Sequence, residues 1–306
     1  MRSVFDNLTN LSSRLNSSGL FFAFLASIFS YLSLLFVKLA EQQNIFITIF
    51  VRSLMVFYIS FYVIHRQKSQ SIPNKRLVLI LLFRGLLVTV ITFFLFISVN
   101  YIPTQISVSV YSTYGSFTYI IAVLNKREQF TKSRLFCIIG VSVGIFLILN
   151  PDIFNTSVST ADLDPHYVWS VLGILIAAII KGYLNNLLKS ITETDPMVNN
   201  LFFGGISLFV GGSGLVAFGY SLNLSVICFL IFTLAGLASF LYQTCSFKAI
   251  KLEHVSTVSI IESLSVFYSY FVDMYMLNIK QKTVSTLGCF LTAGCLVILS
   301  FLMKNE

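Results

Sequence analysis

From Leu20 to Val37 the chain reads LFFAFLASIFSYLSLLFV, without one charged residue. A hydrocarbon core about 30 Å thick is crossed by roughly 20 apolar residues in a helix, so this run is of spanning length. Ten such segments follow one another, at 18–37, 44–64, 77–99, 102–124, 134–150, 167–188, 197–219, 223–246, 255–278 and 283–303. Backbone polar groups find no partner in hydrocarbon, and each segment must satisfy them internally as a helix. Only 10% of the residues are charged, against about a quarter in a soluble chain. That leaves too little polar material to cover a globule in water. The expected fold is all-α and integral to a lipid bilayer, with ten transmembrane helices.

The 20 Lys and Arg residues set the orientation. With a cytosolic N-terminus, fourteen fall on the cytosolic side and three (Lys38, Lys280, Lys282) on the other. The remaining three (Arg52, Arg84, Lys181) lie inside spans. This positive-inside bias puts both termini in the cytosol. It also explains the formal net charge of +8 as a topology signal in short loops, so no nucleic-acid partner is expected. In residues 1–17, Val4, Phe5, Leu8, Leu11 and Leu15 recur at helical spacing. That fits an amphipathic helix on the membrane surface and equally a disordered tail. No cleavable leader is expected. The five cysteines sit in apolar runs without metal spacing, so neither a disulfide framework nor a metal site or cofactor is expected. Residues 151–166 form a non-cytosolic loop in which Asn155 stands in an Asn-Thr-Ser sequon, a glycosylation acceptor in a secretory membrane. Whether the membrane is the plasma membrane or an internal one is left open by the sequence.

The chain repeats itself. Tyr101–Ser112 reads YIPTQISVSVYS, and 150 positions on Lys251–Glu262 reads KLEHVSTVSIIE. Each copy opens at a tight turn, runs into a long helix, and is followed by a charged turn and a glycine-containing closing helix. Five helices per half is an odd number, so the second half enters the membrane inverted relative to the first. A ligand site near mid-membrane between the halves is the expectation for such an architecture. The division is 18–150 for the first repeat and 167–303 for the second.

These features resemble the drug/metabolite transporter superfamily, specifically proteins with two EamA-type repeats. Arg52 stands where the family carries an arginine in its second helix, and "RGLL" from Arg84 resembles the start of its third. "NYIPTQISVSVYSTYGSFTYIIAVLNKREQFT" resembles the fourth helix with its trailing Glu-x-x-Thr turn at Glu128 and Thr131. "FKAIKLEHVSTVSIIES" resembles the eighth-to-ninth helix hairpin, with Glu262 at a position often acidic in the family. The opening of the third helix looks most like the solute-carrier-35 G-like branch. Lys280 in place of a second trailing glutamate and Ser263 in place of a proline depart from the pattern. The resemblance implies a transporter of small solutes.

An ionised side chain at the bilayer centre costs about 3 kcal/mol even on insertion scales, so five in one chain demand partners or a cavity. Arg84, Lys181 and Glu262 lie seven or eight residues from the cytosolic end of their spans, Arg52 and Asp273 toward the opposite face. On one continuous helix Glu262 and Asp273 are close to three turns apart and share a face. The expected arrangement is an inner cluster of Glu262 with Arg84 or Lys181, and an outer pair of Arg52 with Asp273. Tyr111 and Ser112 fall opposite Ile261 and Glu262 in the repeat and join the candidate site. These seven residues are candidates for substrate binding or coupling, with ion pairs that merely lock helices as the competing reading. Gly204, Gly205, Gly211, Gly212 and Gly214 in span seven fit close helix packing.

The favoured function is secondary transport of a small polar organic solute, an anion or a zwitterion, by alternating access between the repeats. A non-transporting receptor or scaffold is the alternative. An intramembrane enzyme is least favoured, since His65, His166 and His254 all lie at loops or helix ends and no nucleophile–base arrangement stands out. A second copy of the chain is a candidate partner.

Overall fold

The computed structural model describes residues 18–40, 44–67, 74–149, 165–221 and 224–276, and further positions individually between 284 and 298. The segment 1–17, most of the loop 151–166 with Asn155, and much of the tenth expected span lie outside the described residues. The helices, in chain order, are α1 (Gly19–Leu39), α2 (Ile45–Gln67), α3 (Lys75–Tyr101), α4 (Thr104–Ser112), α5 (Tyr114–Leu124) and α6 (Lys132–Leu149). They continue with α7 (Pro165–Lys189), α8 (Pro196–Ala217), α9 (Val226–Leu252), α10 (Val255–Glu262) and α11 (Ser265–Tyr275). Taking α4–α5 and α10–α11 as single spans, eight are long and apolar enough to cross a membrane. Within α6, Leu135–Leu147 is a shorter apolar helix.

Local chemistry sets the boundaries. The Asp195 carboxylate accepts from the Met197 N–H at 2.8 Å, and Pro196 supplies the first turn of α8 without wasting a donor. Ser225 caps α9 in the same way through the Cys228 N–H. Pro103 cannot continue α3, so α3 and α4 join through an extended Ile102 in a tight hairpin.

Two expected continuous helices are broken, which corrects the sequence reading of 102–124 and 255–278. At Thr113 and at Ser263–Leu264 the bonding tightens from i−4 to i−3: Thr113 N–H bonds Val110 O, and Leu264 N–H bonds Ile261 O. Hydroxyls compete with backbone N–H groups for carbonyls at both places, Thr113 Oγ1 with its own N–H for Val110 O and Ser263 Oγ with its own N–H for Ser259 O. Such side-chain bonding bends a helix and favours a 3₁₀ turn. The breaks correspond closely: Thr113 has φ −59°, ψ −15° and Leu264 has φ −57°, ψ −15°.

Element boundaries recur at a spacing of 151 residues, one more than the spacing of 150 read from the sequence. Lys75–Tyr101 maps onto Val226–Leu252 and Tyr114–Leu124 onto Ser265–Tyr275, while Thr104 maps onto Val255. The packing follows the same correspondence. α1 lies along α9 and α7 along α3, while α10 packs on α1 and α4 on α7. α2 lies along α8, where Gly204 and Gly211 meet the Phe57 and Phe50 backbones so closely that a Cβ would come within 2.8–2.9 Å of their amide nitrogens. These two glycines serve close packing.

The bundle is greasy outside and polar within. Leu79, Trp169, Phe209, Val216 and Val226 are exposed, while Ser27, Ser60, Thr118, Asn200, Ser239 and Asp273 are fully buried. In water that distribution would be costly. Against lipid it is what the hydrophobic effect permits, because only the interior needs polar partners.

Candidate functional site

All five expected intramembrane ionisable residues are buried among the helices, none exposed by more than 6%. Arg52 on α2, Arg84 on α3, Lys181 on α7 and Tyr111 on α4 line one central cavity, together with Gln243 on α9 and Ser33 on α1. Its open space is only about 50 Å³, room for a few water molecules.

The two arginines have neutral partners. Arg52 donates from Nη1 to Thr92 Oγ1 at 3.4 Å and from Nη2 to Ser239 Oγ, and its guanidinium lies 5.0 Å from the Phe96 ring centroid. Arg84 donates to Asn199 Oδ1 and, at 3.1 Å, to Gln243 Oε1. In both, the buried Nε–H has no hydrogen-bond partner among the described residues. Close helix approach holds this geometry. A Cβ on Gly236 of α9 would sit 2.7 Å from Arg52 O, so only glycine lets α9 bring Ser239 up to the guanidinium.

Glu262 takes the other cation. Its Oε2 lies 4.0 Å from Lys181 Nζ and accepts from the Tyr114 hydroxyl at 3.2 Å, while Oε1 accepts from Ser246. The Lys181 ammonium also faces the Tyr242 and Tyr114 rings, 5.2 and 5.8 Å from their centroids. Of the two alternatives for the inner cluster, Lys181 is therefore the partner of Glu262, and Arg84 is not.

The expected outer pair does not form. Asp273 Oδ2 accepts instead from the Gln105 backbone N–H at 2.8 Å, in the first turn of α4. The helix break at Ser263–Leu264 lies between Glu262 and Asp273. Ser112 also falls away from the cavity wall, since its hydroxyl bonds back to Val108 O. The sequence reading passed over Ser33, Thr92, Asn199 and Ser239. Only the need of a buried arginine for several acceptors points to such residues, and it does not say which.

Fold and interior together define a class: an integral, multi-pass helical membrane protein with a charged, enclosed centre. Residues 17–150 match the EamA-like transporter family, which is part of the drug/metabolite transporter superfamily. That match does not extend to the solute-carrier-35 G-like branch. A solved structure described as "Crystal structure of protein" shares the fold over 94% of this chain and 98% of its own, with a TM-score of 0.73 and 12% identity. No curated protein matches the chain.

Proposed function

We propose that this protein is a secondary transporter that moves a small organic anion across its membrane by alternating access between two inverted five-helix halves. The observation that carries the anion is the pair Arg52 and Arg84. Both guanidiniums are buried on one cavity wall, their hydrogen-bond partners are neutral oxygens, and each retains an unpartnered N–H. A buried charge without a counter-charge is costly, and an anionic solute between the two would relieve that cost. Lys181 is already matched by Glu262, which leaves this pair as the candidate for coupling solute binding to a proton or to a change of state. Tyr111 completes the wall as a hydrogen-bonding group.

The 151-residue recurrence supports the reading as two equivalent halves, 18–150 and 167–303, with α6 and the helical positions between 284 and 298 as spans five and ten. Five spans per half make the halves antiparallel, and the distribution of Lys and Arg favours cytosolic termini.

The test is a thermal-shift screen of the purified full chain against carboxylates, phosphate esters, amino acids, nucleotide sugars and organic cations, with Arg84→Ala and Glu262→Gln alongside. Stabilisation by anions that disappears in folded Arg84→Ala supports the reading. Stabilisation by cations, or an anion response indifferent to Arg84, refutes the assigned site.

A further inference from the structure

Helix ends leave N–H and C=O groups without intrahelical partners, and in this bundle charged side chains meet them across helices at both ends. At one end of the bundle, Lys38 Nζ at the close of α1 donates to Val99 O near the end of α3, at 2.8 Å. There too, Asp273 holds the Gln105 N–H at the start of α4. At the other, Lys189 Nζ at the close of α7 donates to Ile250 O at 2.7 Å and Glu253 O at 2.9 Å, at the end of α9. Glu128, in the turn after α5, accepts there from the Ser256 N–H at 3.2 Å and from the Ser256 hydroxyl, at the start of α10.

The two sets correspond in their lysines, the carbonyls these meet and the N–H donors, but not in the positions of their carboxylates. Lys38 and Lys189, Val99 and Ile250, and Gln105 and Ser256 are each 151 residues apart, and both lysine contacts close a separation of 61 residues. The carboxylates are exchanged. Asp273 at the end of α10–α11 closes onto the start of α4, and Glu128 beyond the end of α4–α5 closes onto the start of α10. Gln105 and Glu128 are 23 residues apart, roughly 30–35 Å of helix, so one set lies toward each membrane surface. The small cavity sits between them with both sets closed. The breaks at Thr113 and at Ser263–Leu264 are points about which α4 and α10 can tilt away from the carboxylates without dragging α5 and α11.

We infer that these contacts are the two gates of the transport cycle. Asp273–Gln105 with Lys38–Val99 seals one side, and Glu128–Ser256 with Lys189–Ile250 seals the other. Asp273 is then a gating residue and not a substrate ligand. The inference rests on the alternating-access reading above. Opening toward one surface releases one set and leaves the other intact, because the two share no atoms.

The experiment uses Ser30→Cys, a cavity-lining position, in the full chain with its five native cysteines replaced. The chain is held in sealed vesicles of each orientation and labelled with a membrane-impermeant maleimide. Asp273→Ala should raise labelling from the α4-start side about tenfold relative to the opposite side, the factor expected for losing one charge-assisted hydrogen bond. Glu128→Ala should shift the ratio by a similar factor the other way. The double variant should return it to within about twofold of the parent, which a merely structural role would not do. Where an alanine variant does not elute as a folded species, Lys38→Gln or Lys189→Gln releases the same gate and must give the same sign. A parent labelled from both sides with a ratio that no variant moves, or that both variants move alike, overturns the gates and leaves alternating access standing. Labelling from neither side in any variant overturns alternating access and the gates with it.

Discussion

Replacing Arg52 by methionine should make the protein more stable while removing its response to anions. The guanidinium is buried, and an ion taken out of water loses several kcal/mol after relaxation. Against this stand two hydrogen bonds, one stretched to 3.4 Å, and contacts with the Phe96 and Phe203 rings. A bond to a charged group returns about 1.5–3 kcal/mol and a cation–ring contact about 0.5–2, so the terms nearly cancel. Methionine keeps the packing against both rings and strands no partner, since Thr92 and Ser239 can turn their hydroxyls to the preceding turn of their own helices. With the charge terms nearly cancelled, the burial of an apolar methionine side chain is the surplus, about 1–3 kcal/mol, or roughly 2–6 °C in Tm for a chain of this size. Arg84→Met is the internal comparison. It leaves Asn199 Oδ1 and Gln243 Oε1 buried without a donor, at about 1–3 kcal/mol each, so it should gain nothing or lose stability. Differential scanning fluorimetry of the purified chain, with and without an anion from the screen, reads both effects. Arg52→Met melting below both the parent and Arg84→Met would show the arginine to be a net brace, and the argument from unmatched charge would fail.

Glu262→Ala should cost about 3–5 kcal/mol by leaving the buried Lys181 ammonium uncompensated, and Glu262→Gln, which removes the same charge but keeps an acceptor for Ser246, should cost about 1 kcal/mol less; unfolding in graded denaturing detergent separates them. Gly211→Ala should lower Tm, because its Cβ would meet the Phe50 backbone and force α8 from α2 at about 1–3 kcal/mol. Gly212→Ala, whose Cβ would meet only the Phe50 ring edge at 3.4 Å, should be close to neutral. Asp195→Ala removes the cap of α8 and should cost about 1 kcal/mol, recovered in large part by Asp195→Ser.

Much of the architecture was legible because lipid imposes so few solutions. Apolar runs of spanning length marked ten segments, eight of which are helices long and apolar enough to span among the described residues, and ionisable residues inside them had to be buried, as all five are. Pairing them by opposite charge succeeded only for Lys181 and Glu262. It failed for Arg52 and Asp273 because their partners carry no charge: two hydroxyls in one case and a backbone N–H in the other. A backbone donor has no sequence signature. The helix breaks were hidden for a related reason, since Thr113 and Ser263 look like any hydroxyl in a spanning helix until the geometry shows which carbonyl each one takes.

The one-residue difference in the repeat has a physical consequence. At a spacing of 150, Ser112 faces Glu262, and a hydroxyl beside a carboxylate looks like part of a binding site. At 151 its counterpart is Ser263, and Ser263 Oγ bonds Ser112 O at 3.2 Å. Under the two-fold relation proposed for the halves, a residue touches its own counterpart only near the axis, and this contact fits an axis passing by the two helix breaks. Glu262 then corresponds to Tyr111, one carrying a charge and the other lining the cavity. The recurrence at 151 residues therefore holds for the helix boundaries and not for the buried charges, since the carboxylate Glu262 lies in the second stretch and both arginines in the first. That asymmetry leaves Arg52 and Arg84 on the cavity wall with neutral hydrogen-bond partners, which is the ground on which the proposed transport is of an anion.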